Sequence, residues 1–287
     1  MDELIDKIID KKELRGINKN IIKNIIIEYK KQNLKSYLAL EKQITNTIEI
    51  NTKSKEFKLL KKYVRQKLRI LHGVFQKNKQ SKAKQEKYLE KKDFNFNSKD
   101  TQTFLKSHRS TKERLEHFKT LYNTIEQNIG KINSIADLGC GLNPLSYTLL
   151  KDLKEVYLAD ISTDEVQFLD KYIKNNKFKG CAQTLDLTNN DTQEIIRKNT
   201  KNKDVTFLFK VLDGLEYIKR GASKELIKNI NSKNIIISFS NKSISGKNQI
   251  TSQRQWFKKI IEEEINQGAQ VIEKTLGHEE YYIMMRK

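Results

Sequence analysis

The chain has 287 residues, 37% of them hydrophobic and 32% charged, with a formal net charge of +20 and a pI near 9.6. No uncharged apolar run approaches the roughly 18 residues a bilayer span needs, and the start Met1-Asp2-Glu3-Leu4 lacks a basic-then-apolar leader pattern. Cys140 and Cys181 and the scattered His72, His108, His117 and His278 have no metal-ligand spacing, so the reading is a cytoplasmic, metal-free monomer with reduced thiols and a polyanionic partner.

The first 95 residues hold 25 basic and 12 acidic side chains, and the other 192 hold 31 and 24. The surplus therefore sits in the first third, which reads as helical. Glu3 to Lys11 and Asn20 to Lys31 carry Ile and Leu at helical spacing. Ser54 to Gln76 places Phe57, Leu60, Tyr63, Val64, Leu68, Leu71 and Val74 on one side. The other side bears Lys55, Lys58, Lys61, Lys62, Arg65, Lys67 and Arg69. That basic face is either a phosphate-docking surface, with Arg65, Lys67 and Arg69 as RNA contacts, or a plain solvated face. Gln76 to Asp93 is almost devoid of apolar residues and reads as a loop or a mobile exposed helix, with Asn95 to Lys106 a further connector. The expected organisation is a basic all-α domain over 1–105 and a second domain over 106–287. Removing residues 1–95 is expected to leave small-molecule binding by the second domain intact.

From Ser110 the pattern changes. Ser110-Thr111-Lys112-Glu113 reads as a capping box that opens a helix to about Asn128. Strand-like runs then fall at Ser134–Leu138, Glu155–Asp160, Cys181–Asp186, Val205–Phe209 and Asn234–Phe239. Helices are predicted at Pro144–Lys151, Thr163–Asn175, Gln193–Asn199, Gly214–Asn229 and Ser252–Asn266. Val271–Leu276, a Gly277 turn and Glu280–Met285 close the chain as an antiparallel hairpin. Alternating strands and helices predict an α/β, Rossmann-like fold: an open, mostly parallel sheet covered on both faces.

In such a sheet ligands lie over the carboxyl ends of the strands. The first strand runs into Asp137-Leu138-Gly139-Cys140-Gly141, a Gly-x-Gly turn without the third glycine of a dinucleotide fingerprint and without a triphosphate loop. This points to a nucleoside without a phosphate chain, S-adenosylmethionine first among the candidates, or to a purely structural turn. Asp160 ends the second strand, where a carboxylate can accept from both ribose hydroxyls. Asp186 and Leu187 follow the third, where they suit an adenine amino group and ring. Any one such Asp can equally be a helix cap; three in register with a glycine turn favour a ligand.

Four strings carry a resemblance. His108-Arg109-Ser110-Thr111-Lys112-Glu113-Arg114-Leu115, followed by Asp137-Leu138-Gly139-Cys140-Gly141-Leu142-Asn143-Pro144-Leu145, closely resembles the aminoglycoside-resistance 16S rRNA (guanine-N7) methyltransferases, the Arm/Rmt/FmrO group. Leu208-Phe209-Lys210-Val211-Leu212-Asp213-Gly214 and Ser238-Phe239-Ser240-Asn241-Lys242, with Trp256-Phe257 and Glu280-Tyr281, resemble its later motifs. The resemblance spans about 105–287. Asp213-Gly214 stands where relatives often have a Pro-containing pair, and Ser240-Asn241-Lys242 replaces Pro-Thr-Arg.

The resemblance implies a class I S-adenosylmethionine-dependent methyltransferase with a seven-stranded sheet and an N-terminal rRNA-docking domain, acting on 16S rRNA in the 30S subunit. It implies that Arg114 forks onto the methionine carboxylate. Asp137, Gly139, Gly141, Asp160, Ile161, Asp186, Leu187 and Lys210 would complete the cofactor site, and Lys242, Lys247, Phe239 and Trp256 would meet RNA or the extruded base. If Arg114 is read apart from the motif, an ion pair with a Glu on its own helix explains it equally well. Methylation of another RNA base, such as adenine N1 or a base in tRNA, and non-catalytic RNA binding are the alternative readings.

Overall fold

Short, mostly apolar runs form strands buried on both faces. Ser134–Leu138 (β1) and Val205–Phe209 (β4) are buried along their whole length. Glu155–Asp160 (β2), Lys179–Thr184 (β3), Asn234–Ser240 (β5), Gln270–Leu276 (β6) and Glu279–Met285 (β7) complete one sheet in the order β3-β2-β1-β4-β5-β7-β6. Pairing is parallel from β3 through β5, and β7 runs antiparallel between β5 and β6. Chain order reverses between β1 and β4, so the carboxyl ends of these two strands open a crevice. The computed structural model describes residues 1–9, 17–45, 50–70, 82–90, 94–241 and 254–287.

The helices are Asp2–Ile8 (α1), Lys19–Gln32 (α2), Leu34–Thr45 (α3), Lys55–Leu68 (α4), Lys82–Leu89 (α5), Lys99–Ser107 (α6), Arg109–Arg114 (α7), Phe118–Ile129 (α8), Thr163–Asn175 (α9), Gln193–Thr200 (α10), Leu212–Ile218 (α11), Ala222–Lys228 (α12) and Gln255–Asn266 (α13). Among the described residues none is long and apolar enough to cross a membrane. Asn18 and Ser54 cap α2 and α4 by accepting from backbone N–H groups two and three residues on. Phe57, Leu60, Val64 and Leu68 form the buried stripe of α4 against Ile5, Ile8, Ile22 and Ile26. Each such side chain contributes at most about 1.5–3 kcal/mol of transfer free energy.

Several elements differ from the sequence expectations. The Ser110 helix is two helices broken at 115–117, and no capping box forms. Its N-cap is His108; Ser110 Oγ instead accepts from Arg114 Nη2, and Glu113 pairs with Arg109 and Lys210. Pro144 opens a 3₁₀ helix, Asn143–Leu149, rather than an α-helix. The Gly214–Asn229 helix breaks at Gly221, whose φ of +85° begins α12 and whose N–H donates to Glu216. β3 lies two residues earlier than Cys181–Asp186, because its ladder with β2 runs from Glu155↔Lys179 to Asp160↔Thr184. Asp186 has left the sheet and accepts on Oδ1 from Thr188 N and Oγ1.

Two helices went unread, α3 and α6, and the polar stretch before residue 93 contains α5. One residue anchors α5: Tyr88, 2% exposed, packs on Phe94, Phe104 and Phe168. Tyr88, Phe94, Phe96, Phe104 and Leu105 belong to the cluster beneath the sheet. The helices α1–α4 enclose their own cluster. Among the described residues the α1–α4 cluster reaches Leu68 and the cluster beneath the sheet begins at Tyr88.

Candidate active site

The glycine turn after β1 is made by hydrogen bonding across the sheet: Gly139 N and Cys140 N both donate to Ala159 O at the end of β2. Gly139 has φ +77° and lies against Val211, leaving no room for a Cβ. Gly141, at φ +48°, passes beside the His108 ring. Gly141 N then donates to Asp160 Oδ2 and Ser162 N to Oδ1, both at 2.9 Å. This bonding sets the carboxylate's plane and leaves a second lone pair on each oxygen.

A cleft, partly open to solvent, lies over these strand ends. Of the sequence-assigned residues it brings together Arg114, Gly139, Gly141, Asp160, Ile161, Asp186, Leu187 and Lys210. His108, Ser110, Asn143 and Phe209 also line it, as does Ile70 from beyond the end of α4. Cys140 faces the cleft, and burial pushes its thiol well above the ordinary value, which keeps it protonated and poorly nucleophilic.

Asp137 is not in the cleft. It lies beneath the floor, where Oδ2 accepts from Tyr147 Oη at 2.6 Å and Asn143 Nδ2 at 2.9 Å. Burial raises its carboxyl to about 6 despite those bonds. The Asn143 it holds in turn accepts from Arg114 Nη1 at 3.1 Å.

Arg114 is 1% exposed. Its Nε and Nη2 both donate to Glu279 Oε2, at 3.2 and 3.0 Å. The fork expected for a ligand carboxylate is therefore taken up by Glu279. Nε also meets Tyr281 Oη, and Nη2 meets Ser110 Oγ. Among the described residues these partners and Asn143 account for four of the five guanidinium N–H groups, leaving one on Nη1. The Arg114 guanidinium also stacks over Phe209, 4.5 Å from the ring centre.

Lys210, with a left-handed backbone at φ +59°, follows β4. Its Nζ lies 2.7 Å from both Glu113 Oε2 and Glu279 Oε1. Arg109, Glu113, Lys210, Glu279 and Arg114 thus form one chain of alternating charge, three cations and two carboxylates. Burial pushes Glu279 up, but Arg114 and Lys210 outweigh it and hold the carboxyl below its ordinary value. Of these five, Arg114 and Lys210 line the cleft. Glu279 escaped sequence reading because its partners lie far away along the chain; His108, Ser110 and Asn143 stood inside the quoted motifs without a role.

The RNA-contact residues separate. Arg65 is half-buried and donates to Ile8 O at 2.7 Å, tying α4 to α1. Lys67 is buried between Glu28 at 2.5 Å and Ile218 O at 3.2 Å, joining α4 to α2 and α11. Neither is available to phosphate without breaking those bonds; Arg69 is exposed. Phe239 is core, 1% exposed, among Phe257, Trp256 and Tyr282 and beneath the Arg254 guanidinium. Trp256 is half-buried. Lys242 and Lys247 lie outside the described residues. Of the unusual Asp213-Gly214 pair, the aspartate has a structural account. Asp213 clasps Arg254 through two oxygens, whereas a Cβ on Gly214 would meet only ordinary contact, so nothing in the structure demands the glycine.

A sheet of this order, with its cleft at the carboxyl ends of β1, β2 and β4 and a reversed strand between β5 and the edge, is the fold of the class I S-adenosylmethionine-dependent methyltransferases. The same fold is seen in the crystal structure of the 16S rRNA methyltransferase RmtF in complex with S-adenosyl-L-homocysteine, with TM-score 0.70 and 18% identity over 100% of this chain and 98% of that one. The 16S rRNA methylase ArmA aligns with TM-score 0.52 and 26% identity over 71% of this chain and 98% of that one. Residues 91–280 match the family described as "Ribosomal RNA methyltransferase (FmrO)", and the chain belongs to that family. It is 28% identical over 183 residues to the 16S rRNA (guanine(1405)-N(7))-methyltransferase of Micromonospora echinospora, covering 62% of this chain and 63% of the relative. To that of Micromonospora rosea it is 32% identical over 139 residues, 48% of each chain. The chain thus spans less than two thirds of the length of these curated relatives.

Proposed function

We propose that the protein is an S-adenosylmethionine-dependent methyltransferase of 16S rRNA that modifies a guanine N7 within the 30S subunit. The observation that carries this reading is the convergence of Gly139, Gly141, Asp160, Asp186 and Leu187 on one cleft that Arg114 and Lys210 also line. The residues fit the cofactor. Asp160 has lone pairs for the ribose hydroxyls, Asp186 and Leu187 stand where the third strand's end meets an adenine, and Arg114 keeps one N–H for a carboxylate.

When bound, the cofactor supplies an electrophilic methyl group. Guanine N7 carries a lone pair and no proton, so attack needs no general base. The chain's task is alignment in a site that excludes water. Phe209 and Val211 supply an apolar wall, and Ile70 and Ile161 close the side toward α4. N7 faces the deep, narrow groove of A-form RNA, so the target base must leave its stack to be reached. Trp256, half-buried, is the described aromatic of the assigned pair that keeps exposed surface for it. The exposed lysines of α4 suit docking to phosphates.

The test is to incubate purified 30S subunits with radiolabelled cofactor and map the label by primer extension after cleavage at 7-methylguanine. Incorporation at a single guanine N7 of 16S rRNA is expected; label confined to another base, or none, overturns the assignment.

A further inference from the structure

We infer that Glu279 is the positioning residue for the amino-acid end of the cofactor: a buried carboxylate behind the cleft that holds the two cations at its wall in binding geometry. The inference rests on the cofactor reading above and deepens it. Glu279 opens β7, opposite Ser240 of β5, so both sheet neighbours fix its backbone. It is 2% exposed and not itself part of the cleft lining, whereas Arg114 and Lys210 are. One oxygen receives the Nε and Nη2 edge of Arg114 and the Ser238 hydroxyl at 3.1 Å. The other lies 2.7 Å from Lys210 Nζ.

This arrangement has two consequences. Clasping one edge of the guanidinium leaves the second Nη1 N–H without a described partner and prevents the planar fork from rotating. Holding Lys210 between Glu279 and Glu113 fixes the other cation that lines the cleft. The cofactor's adenosine is met by Asp160, Asp186 and Leu187 on other strands. The role of Glu279 therefore concerns the aminoacyl end alone, which a merely structural role would not do.

The experiment compares S-adenosylhomocysteine with 5′-methylthioadenosine, which has the same adenosine and thioether but no amino-acid end, by calorimetry on the full chain. Glu279→Gln keeps the shape and removes the charge. Its affinity for S-adenosylhomocysteine should fall about tenfold or more, the scale of one charge-assisted hydrogen bond, with methylthioadenosine affinity unchanged. Equal loss of both compounds, an unchanged affinity for S-adenosylhomocysteine, or a gain, overturns the positioning role. If the Gln variant does not fold by thermal unfolding, Glu279→Asp is measured under the same criterion, since it keeps the charge but is too short to span both cations. A wild-type protein that binds neither compound refutes the cofactor reading itself, whereas wild-type binding with non-selective loss in the variant refutes this inference alone.

Discussion

Asp160 serves the fold and, on the proposed reading, the ligand as well. Its two oxygens each accept a backbone N–H, from Gly141 and Ser162, and so fix both the glycine turn and the start of α9. Asp160→Asn would turn an amide N–H₂ toward one of those donors. We expect S-adenosylhomocysteine affinity to fall by about 30-fold or more, near 2 kcal/mol for a misdirected buried hydrogen bond, with RNA affinity unchanged; calorimetry and a filter-binding assay read the two. Asp137 makes a separate prediction. Its carboxyl is raised to about 6 by burial, above the unfolded value of 3.8. The folded state therefore holds this proton longer, and ionisation costs stability progressively between about pH 4 and pH 6, to a total near 3 kcal/mol. Glu113 and Glu279 are held low and act oppositely, losing stability as pH falls through their folded values. The difference between Asp137→Asn and wild type isolates the first effect: the variant's relative thermal stability should rise from pH 4 to pH 7, and a parallel pair of pH curves refutes it. The Asp137 position was legible as part of a strand, but its direction was not. Alternation along β1 sends one side chain to the ligand side and its neighbour beneath, and only the sheet's two-faced burial decides which.

Central strands were legible because burial on both faces imprints a short, mostly apolar run, as in β1, β4 and β5. The edge strand β3, Lys-Gly-Cys-Ala-Gln-Thr, has no such imprint, and its register comes from pairing with β2. The amphipathic stripe of α4 was equally plain, yet the destination of its basic residues was not, since Lys67 meets a carbonyl 151 residues away. That helix links the N-terminal unit to the cleft. Gln66 Nε2 donates to Tyr217 Oη at 2.8 Å, Ile70 lines the cleft, and Ile161 belongs to the cleft while packing against the α1–α4 cluster. Ile17 also forms a bridge with Ser162, next to the Asp160 turn. Removal of residues 1–95 is therefore expected to abolish S-adenosylhomocysteine binding, contrary to the expectation from sequence. Ile70→Ala should weaken it about fivefold, roughly the 1 kcal/mol of one half-buried side chain's apolar surface. Undiminished affinity in the Ile70 variant would show that α4 does not shape the site.

Across the whole molecule the charge is distributed in two ways. At the cleft, Arg114 and Lys210 are paired with Glu279 and Glu113, whereas exposed Lys55, Lys58 and Lys62 of α4, with Arg69 just beyond it, lie along one stripe. On the proposed reading, the first arrangement meets a small anionic group at fixed geometry. The second suits phosphates spaced along a backbone, where each neutralised phosphate releases a counterion. If about five lysines and arginines of the N-terminal unit meet phosphates, the logarithm of 30S affinity should fall with the logarithm of salt at a slope of about −4 to −5, several hundredfold between 50 and 200 mM. Lys58→Gln combined with Lys62→Gln removes two charges distant from the cleft. The slope should then become shallower by about 2, while S-adenosylhomocysteine affinity stays at the wild-type value, because neither residue belongs to the cleft lining. An unchanged slope would place the docking surface elsewhere on the basic chain. A change in cofactor affinity would mean that the α4 stripe acts through Ile70 rather than on RNA.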